Sequence, residues 1–146
     1  MFNNTTGSQN TAVGRTALYV NMAGSNNAAV GSSALYNTNA SNNSALGANS
    51  LFTNTTGFSN VAVGAGALFK NDVISNLVAV GDSALYNNIG GRFNEGAFNT
   101  AIGSKTLYTN TTGGFNTALG TSSLKASNGI GNTALGAVAM PFSTTG

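Results

Sequence analysis

The sequence predicts an all-β protein, a parallel β-solenoid of eight coils of about 17 residues each. Three observations predict it. A motif first written at residues 10–19 as Asn-Thr-Ala-Val-Gly-Arg-Thr-Ala-Leu-Tyr returns at residues 27–36, 43–52, 60–69, 77–86, 99–108, 116–125 and 132–141. Its central glycines, Gly14, Gly31, Gly47, Gly64, Gly81, Gly103, Gly120 and Gly136, are separated by 17, 16, 17, 17, 22, 17 and 16 residues, a fixed period with one irregular interval. The joints are made of Asn, Thr, Ser and Gly, which are turn formers. A helix competes poorly, because a glycine in every unit costs about 1 kcal/mol against alanine in a helix interior.

The columns of the repeat say what each coil does. Alanine always stands two residues before the glycine, from Ala12 to Ala134, and an aliphatic residue one before it, from Val13 to Leu135. Side chains alternate along a strand, so alanine and glycine share one face and the aliphatic residue takes the other. The bare Ala and Gly columns are expected where coils or chains approach most closely, with the aliphatic column and the leucines four after the glycine (Leu18 to Leu124, then Met140) forming the core. The aromatic column Tyr19, Tyr36, Phe52, Phe69, Tyr86 and Tyr108 is expected to seal one edge of that core, in preference to stacking on carbohydrate.

Taken in order, the first four coils are the most regular, with joints at residues 20–26, 37–42 and 53–59. Asn-Thr-Thr at Asn4, Asn54 and Asn110 fits a glycosylation acceptor, but turn formation is the stronger reading. The fifth coil opens with Leu77-Val78 in place of Asn-Thr. Residues 87–98 then hold twelve residues where other joints hold six or seven, so the surplus is expected to leave the coil as a loop on one face. The last three coils restore the period, with Lys125 and Pro141 in the aromatic position. Residues 1–146 thus read as a single repeat array, and because they begin and end in the same phase of the repeat, a segment of a longer fibre is expected.

Composition narrows the function. Five basic and three acidic residues, a net +2, are spread thinly. Arg15, Lys70, Arg92, Lys105 and Lys125 fall in separate repeats and make no nucleic-acid track. Histidine and cysteine are absent, and Asp72, Asp82 and Glu95 lie at different phases, so no catalytic group, metal site or cofactor is expected. Gly64-Ala-Gly66 and Gly113-Gly114 lack the lysine or strand-to-helix context of a phosphate loop. No run approaches the roughly 20 apolar residues of a membrane span, so no membrane insertion is expected.

Asn-Thr-Ala-Val-Gly-x-x-Ala-Leu-Tyr with Asn-Thr-Thr-Gly joints resembles repeats of phage tail fibres and related bacterial surface or injection-system fibres, and Val61-Ala-Val-Gly64 and Val78-Ala-Val-Gly81 resemble the core motif of trimeric autotransporter adhesin heads. The resemblance implies a homotrimeric, left-handed parallel β-roll, serving as the shaft or head of an extracellular, cell-surface or virion fibre. It implies self-assembly and attachment to a host-surface glycan or protein. The candidate contacts lie in the insertion: Arg92, Phe93, Glu95 and Phe98 bring charge and aromatic rings to a chain otherwise poor in charge. Two other readings are an ice- or crystal-surface binder, disfavoured because Ala28, Val61 and Val78 interrupt the threonine row of Thr11, Thr100, Thr117 and Thr133, and a filament of monomeric coils stacked end to end.

Overall fold

Three residues of each motif are extended and pair with the same three residues of the next coil. A computed structural model describes residues 1–91 and 95–143. Its strands are β1 (Thr11–Val13), β2 (Ala28–Val30), β3 (Ser44–Leu46), β4 (Val61–Val63), β5 (Val78–Val80), β6 (Thr100–Ile102), β7 (Thr117–Leu119), β8 (Ala126–Ser127), β9 (Thr133–Leu135) and β10 (Phe142–Ser143). Eight of them form one parallel sheet in the order β1-β2-β3-β4-β5-β6-β7-β9, and β8 pairs with β10 in parallel. The register sets alanine against alanine at every step, Ala12 opposite Ala29 and Ala118 opposite Ala134. The chain is therefore an all-β solenoid, one coil per repeat. Among the described residues no helix is long and apolar enough to cross a membrane.

The interior is thinner than the column pattern suggests. Leu18, Leu35, Leu51, Leu68, Leu85, Leu107 and Leu124 are fully buried, and the alanine column from Ala29 to Ala134 is buried with them. The aliphatic column is not. Val13 is 57 % exposed, Leu119 45 % and Leu135 75 %, so the expectation that these side chains fill the core is wrong. Strand alternation puts them opposite alanine, and the space behind the strands is already filled by the leucines, leaving room there only for a methyl group.

Those leucines reach the core through an unusual backbone. Their φ lies between 47° and 54°, a left-handed conformation adopted again in every coil at the residue two before it, such as Thr16, Ser33 and Ser83. A non-glycine residue in this region costs roughly 1–2 kcal/mol. Full burial of a leucine side chain returns about 1.5–3 kcal/mol, so burial decides the conformation. The glycine column answers a different need. A Cβ on Gly64 would lie 2.5 Å from the carbonyl oxygen of Gly81, and Gly14, Gly31, Gly47 and Gly120 are met as closely by the next coil. Glycine therefore marks the closest approach of coil to coil, whereas alanine belongs to the core.

Two asparagine ladders run through the stack. In the first, the backbone N–H of Asn27, Asn43, Asn60 and Leu77 donates to the Oδ1 of Asn10, Asn27, Asn43 and Asn60 at 2.9–3.0 Å. The Nδ2 groups of Asn10, Asn27, Asn43 and Asn60 donate to carbonyls of Gly24, Ala40, Gly57 and Ile74 in the coil above. Leu77 ends this run. After the insertion it resumes, with Asn116 donating to Asn99 Oδ1 at 2.9 Å.

The second ladder explains the variation in period. Asn4, Asn21, Asn54, Asn71 and Asn110 each donate from Nδ2 to the carbonyl three residues on, closing a turn. In the two 16-residue intervals that position holds Thr38 or Ser127. There the hydroxyl instead accepts the N–H two residues on, from Ala40 at 3.2 Å and from Gly129 at 3.3 Å. A one-residue-shorter joint is thus matched by a one-residue-shorter turn. Asn54 and Asn110 are fully buried in this ladder, which puts two of the three Asn-Thr-Thr acceptor amides inside the fold.

Candidate interaction faces

The outer face of the eight-stranded sheet carries two parallel columns. One is Thr11, Ala28, Ser44, Val61, Val78, Thr100, Thr117 and Thr133; the other is Val13, Val30, Leu46, Val63, Val80, Ile102, Leu119 and Leu135. Between Ala28, Val30, Ser44, Leu46 and Val63 the surface dips into a shallow apolar groove that reaches Ala45. No charged residue stands in either column. Hydroxyl groups are interrupted along the first column and absent from the second, so the face has no regular hydroxyl lattice of the kind expected of an ice binder.

The aromatic column forms a continuous ladder. Phe2, Tyr19, Tyr36, Phe52, Phe69, Tyr86 and Tyr108 stack in turn with centroids 5.0–5.3 Å apart and ring planes within 23° of parallel. Phe2 was not part of the motif, but it stands seventeen residues before Tyr19 and continues the period. The rings from Tyr19 to Tyr108 are half-buried. Each interior ring has both faces occupied by neighbouring rings, so a sugar finds no free face on the rings between the two ends of the ladder. This agrees with a column that seals the core. Lys70 Nζ lies 6.0 Å from the centre of the Tyr86 ring, at the outer limit of a cation–π contact.

The insertion is held at both ends. Gly90 N–H donates to Thr111 O at 2.8 Å and Gly96 N–H to Thr112 O at 2.7 Å, so both flanks stay bonded to the following coil. The Gly96 carbonyl accepts Asn88 at 3.1 Å and Asn99 at 2.8 Å, Asn99 here standing in for the side-chain amide that Leu77 lacks. Of the predicted contact residues, Arg92 and Phe93 lie outside the described residues. Glu95 is exposed beside Gly91, whose added Cβ would fall on the Glu95 carboxylate. Phe98 is 44 % exposed and stacks at 5.0 Å on Phe115, itself 61 % exposed, in the next coil.

Sequence reasoning missed Phe115. Its signal was its position, one residue before the asparagine of its repeat, as Phe98 is before Asn99. Both occupy the left-handed column that begins with Gln9 and Asn26, with φ of 58° and 59°. Among the acids, Thr55 Oγ1 donates to Asp72 Oδ1. Among the described residues no group of three or more His, Cys, Asp or Glu side chains is placed to hold a metal ion.

The chain matches no family model, no curated protein and no solved structure.

Proposed function

We propose that this chain is a structural and adhesive segment, shaft or head, of a homotrimeric surface fibre, in which the outer sheet faces of three copies close on one another. The observation that carries the proposal is the exposed aliphatic column. Eight strands at about 4.8 Å stand roughly 38 Å tall, and three residues are about 10 Å wide, giving a face of about 400 Å², of which the aliphatic column makes about half. A patch of that size is at the level where soluble surfaces mark an interaction site. A flat two-chain contact of this width falls short of the roughly 800 Å² per partner of a standard interface. Around a threefold axis each strip meets two neighbours, and the columns beside it join the contact.

Attachment is assigned to the insertion at residues 87–98 with the neighbouring Phe98–Phe115 stack. A trimer presents this patch three times, so weak contacts with a host-surface glycan or protein gain by multivalency. An extracellular, cell-surface or virion location follows from that role and is part of the proposal. Mass in solution tests assembly: the parent is expected at three chains, and Val63→Lys with Ile102→Lys at one chain with unchanged circular dichroism. A single-chain parent at high protein concentration refutes the trimer. Removing residues 91–95 returns the 22-residue interval to 17 and tests attachment separately. Intact assembly with unchanged binding to cells removes the insertion from the functional account.

A further inference from the structure

We infer that the two adjacent tyrosine pairs of the aromatic ladder, Tyr19–Tyr36 and Tyr86–Tyr108, are sites of oxidative tyrosine–tyrosine cross-linking between neighbouring coils. The chain has four tyrosines and no cysteine, so its side chains offer no disulfide to join one coil covalently to the next. All four tyrosines stand in one column. They stack as two pairs, each with ring centroids 5.3 Å apart and planes 8° and 23° from parallel. Phe52 and Phe69 stand between the pairs, so Tyr36 and Tyr86 are not neighbours.

The backbone holds the partners together while part of each ring meets solvent. Val20 N–H donates to Tyr36 O at 2.8 Å, and Asn87 N–H to Tyr108 O at 3.2 Å, so both pairs are tied through the main chain beside them. The pairs also stand at informative joints. Tyr86 and Tyr108 bracket the long interval, where 22 residues separate equivalent positions, and Tyr19 and Tyr36 join the first two coils. A covalent link at each place would tie one coil to the next independently of the sheet.

The chemistry balances with hydrogen peroxide as oxidant and a haem peroxidase as one-electron carrier. Each phenol gives up one electron and its hydroxyl proton. The two phenoxyl radicals join through ring carbons adjacent to the hydroxyl-bearing carbon, and the hydrogens on those carbons move to the phenolic oxygens as the rings regain aromaticity. One peroxide takes up the two electrons and two protons and leaves as two waters. The linked pair has lost two hydrogen atoms.

The test treats dilute, folded protein with peroxidase and peroxide, then reads dityrosine fluorescence and maps cross-linked peptides. Tyr19–Tyr36 and Tyr86–Tyr108 peptides are expected, with a raised unfolding midpoint. Tyr36→Phe should remove about half the product and Tyr36→Phe with Tyr108→Phe nearly all of it, phenylalanine keeping the ladder stacked. Mixing isotope-labelled with unlabelled chains separates links within a chain from links between chains. No dityrosine, undiminished product in the double variant, or cross-linked peptides of mixed label each overturns the inference.

Discussion

Placing alanine at Gly64 measures how closely the coils approach. The new Cβ would stand 2.5 Å from the oxygen and 2.6 Å from the carbon of the Gly81 carbonyl, and 3.0 Å from the Asp82 nitrogen, all of them backbone atoms. Separating two coils locally stretches the hydrogen bonds around that point, an overpacking cost of about 1–3 kcal/mol. The φ of +130° adds strain of about 1–3 kcal/mol. Gly64→Ala is therefore expected to destabilise by about 2–6 kcal/mol. Two controls divide that figure. Gly66 lies in the same coil at φ +64°, where an added Cβ meets side-chain atoms alone, the Tyr86 ring at 3.3 Å and Ser83 Oγ at 3.6 Å, so Gly66→Ala should cost about 1 kcal/mol. Gly136 shares the Gly64 column at φ +122° but has nothing within 4 Å among the described residues, so Gly136→Ala reports strain without collision. Urea unfolding followed by circular dichroism gives the order, Gly64→Ala worst. If Gly64→Ala unfolds with Gly66→Ala, the close-approach account is wrong.

Thr38→Asn should destabilise by about 1–2 kcal/mol despite copying the consensus, because the shorter joint has no carbonyl three residues on in the right place. Inserting one glycine after Asn39 in the same variant should recover most of the loss, as read by the urea midpoint. Leu68→Ala, in the middle of the leucine column, should cost about 2–5 kcal/mol, while Val63→Ala on the outer face should change the stability of a single chain by much less. Parity of these two in dilute solution would put the core on the wrong side of the sheet.

How much of this was legible depended on which column was read. The central glycines gave the coil count and the parallel sheet, and the interval between Gly81 and Gly103 located the insertion. Inside and outside were harder. Alternation placed Ala62 opposite Val63, but the rule that large apolar side chains go inward chose the valine, and the structure buries the alanine. The deciding fact was the space already taken by Leu68, whose buried position depends on a left-handed φ that its identity does not announce. Asn26, Asn42 and Asn76 did announce one, since asparagine tolerates that region, and Phe98 and Phe115 share their column. The match between Thr38, Ser127 and the two 16-residue intervals was present in the sequence but has meaning only once the turn geometry is known.

The chain inverts the usual distribution: asparagines lie buried in its interior while valine, isoleucine and leucine line the outside of its sheet. The buried amides are tolerable because stacking supplies a carbonyl or N–H in each coil for the side chain of its neighbour. The exceptions are the Oδ1 atoms of Asn21, Asn71 and Asn110, which find no partner among the described residues. Two of these face the positions where Thr38 and Ser127 replace the next amide, so the ladder gives up hydrogen bonds where the period shortens. The exposed column has no such partner within one chain. Burying the aliphatic half of that face, about 200 Å², at 25 cal/mol per Å² is worth roughly 5 kcal/mol per chain. Association costs about 4–15 kcal/mol, so this column alone does not carry assembly. The flanking columns and the sequence of each strand then decide it. That makes the Val61, Val63, Val78 and Val80 quartet, apolar in both columns, the expected nucleus of contact. If the proposed trimer forms, lysine at Val80 should dissociate it more completely than lysine at Val13, where the neighbouring position is Thr11. Equal loss of assembled mass from the two variants would show that the contact is spread evenly along the rod.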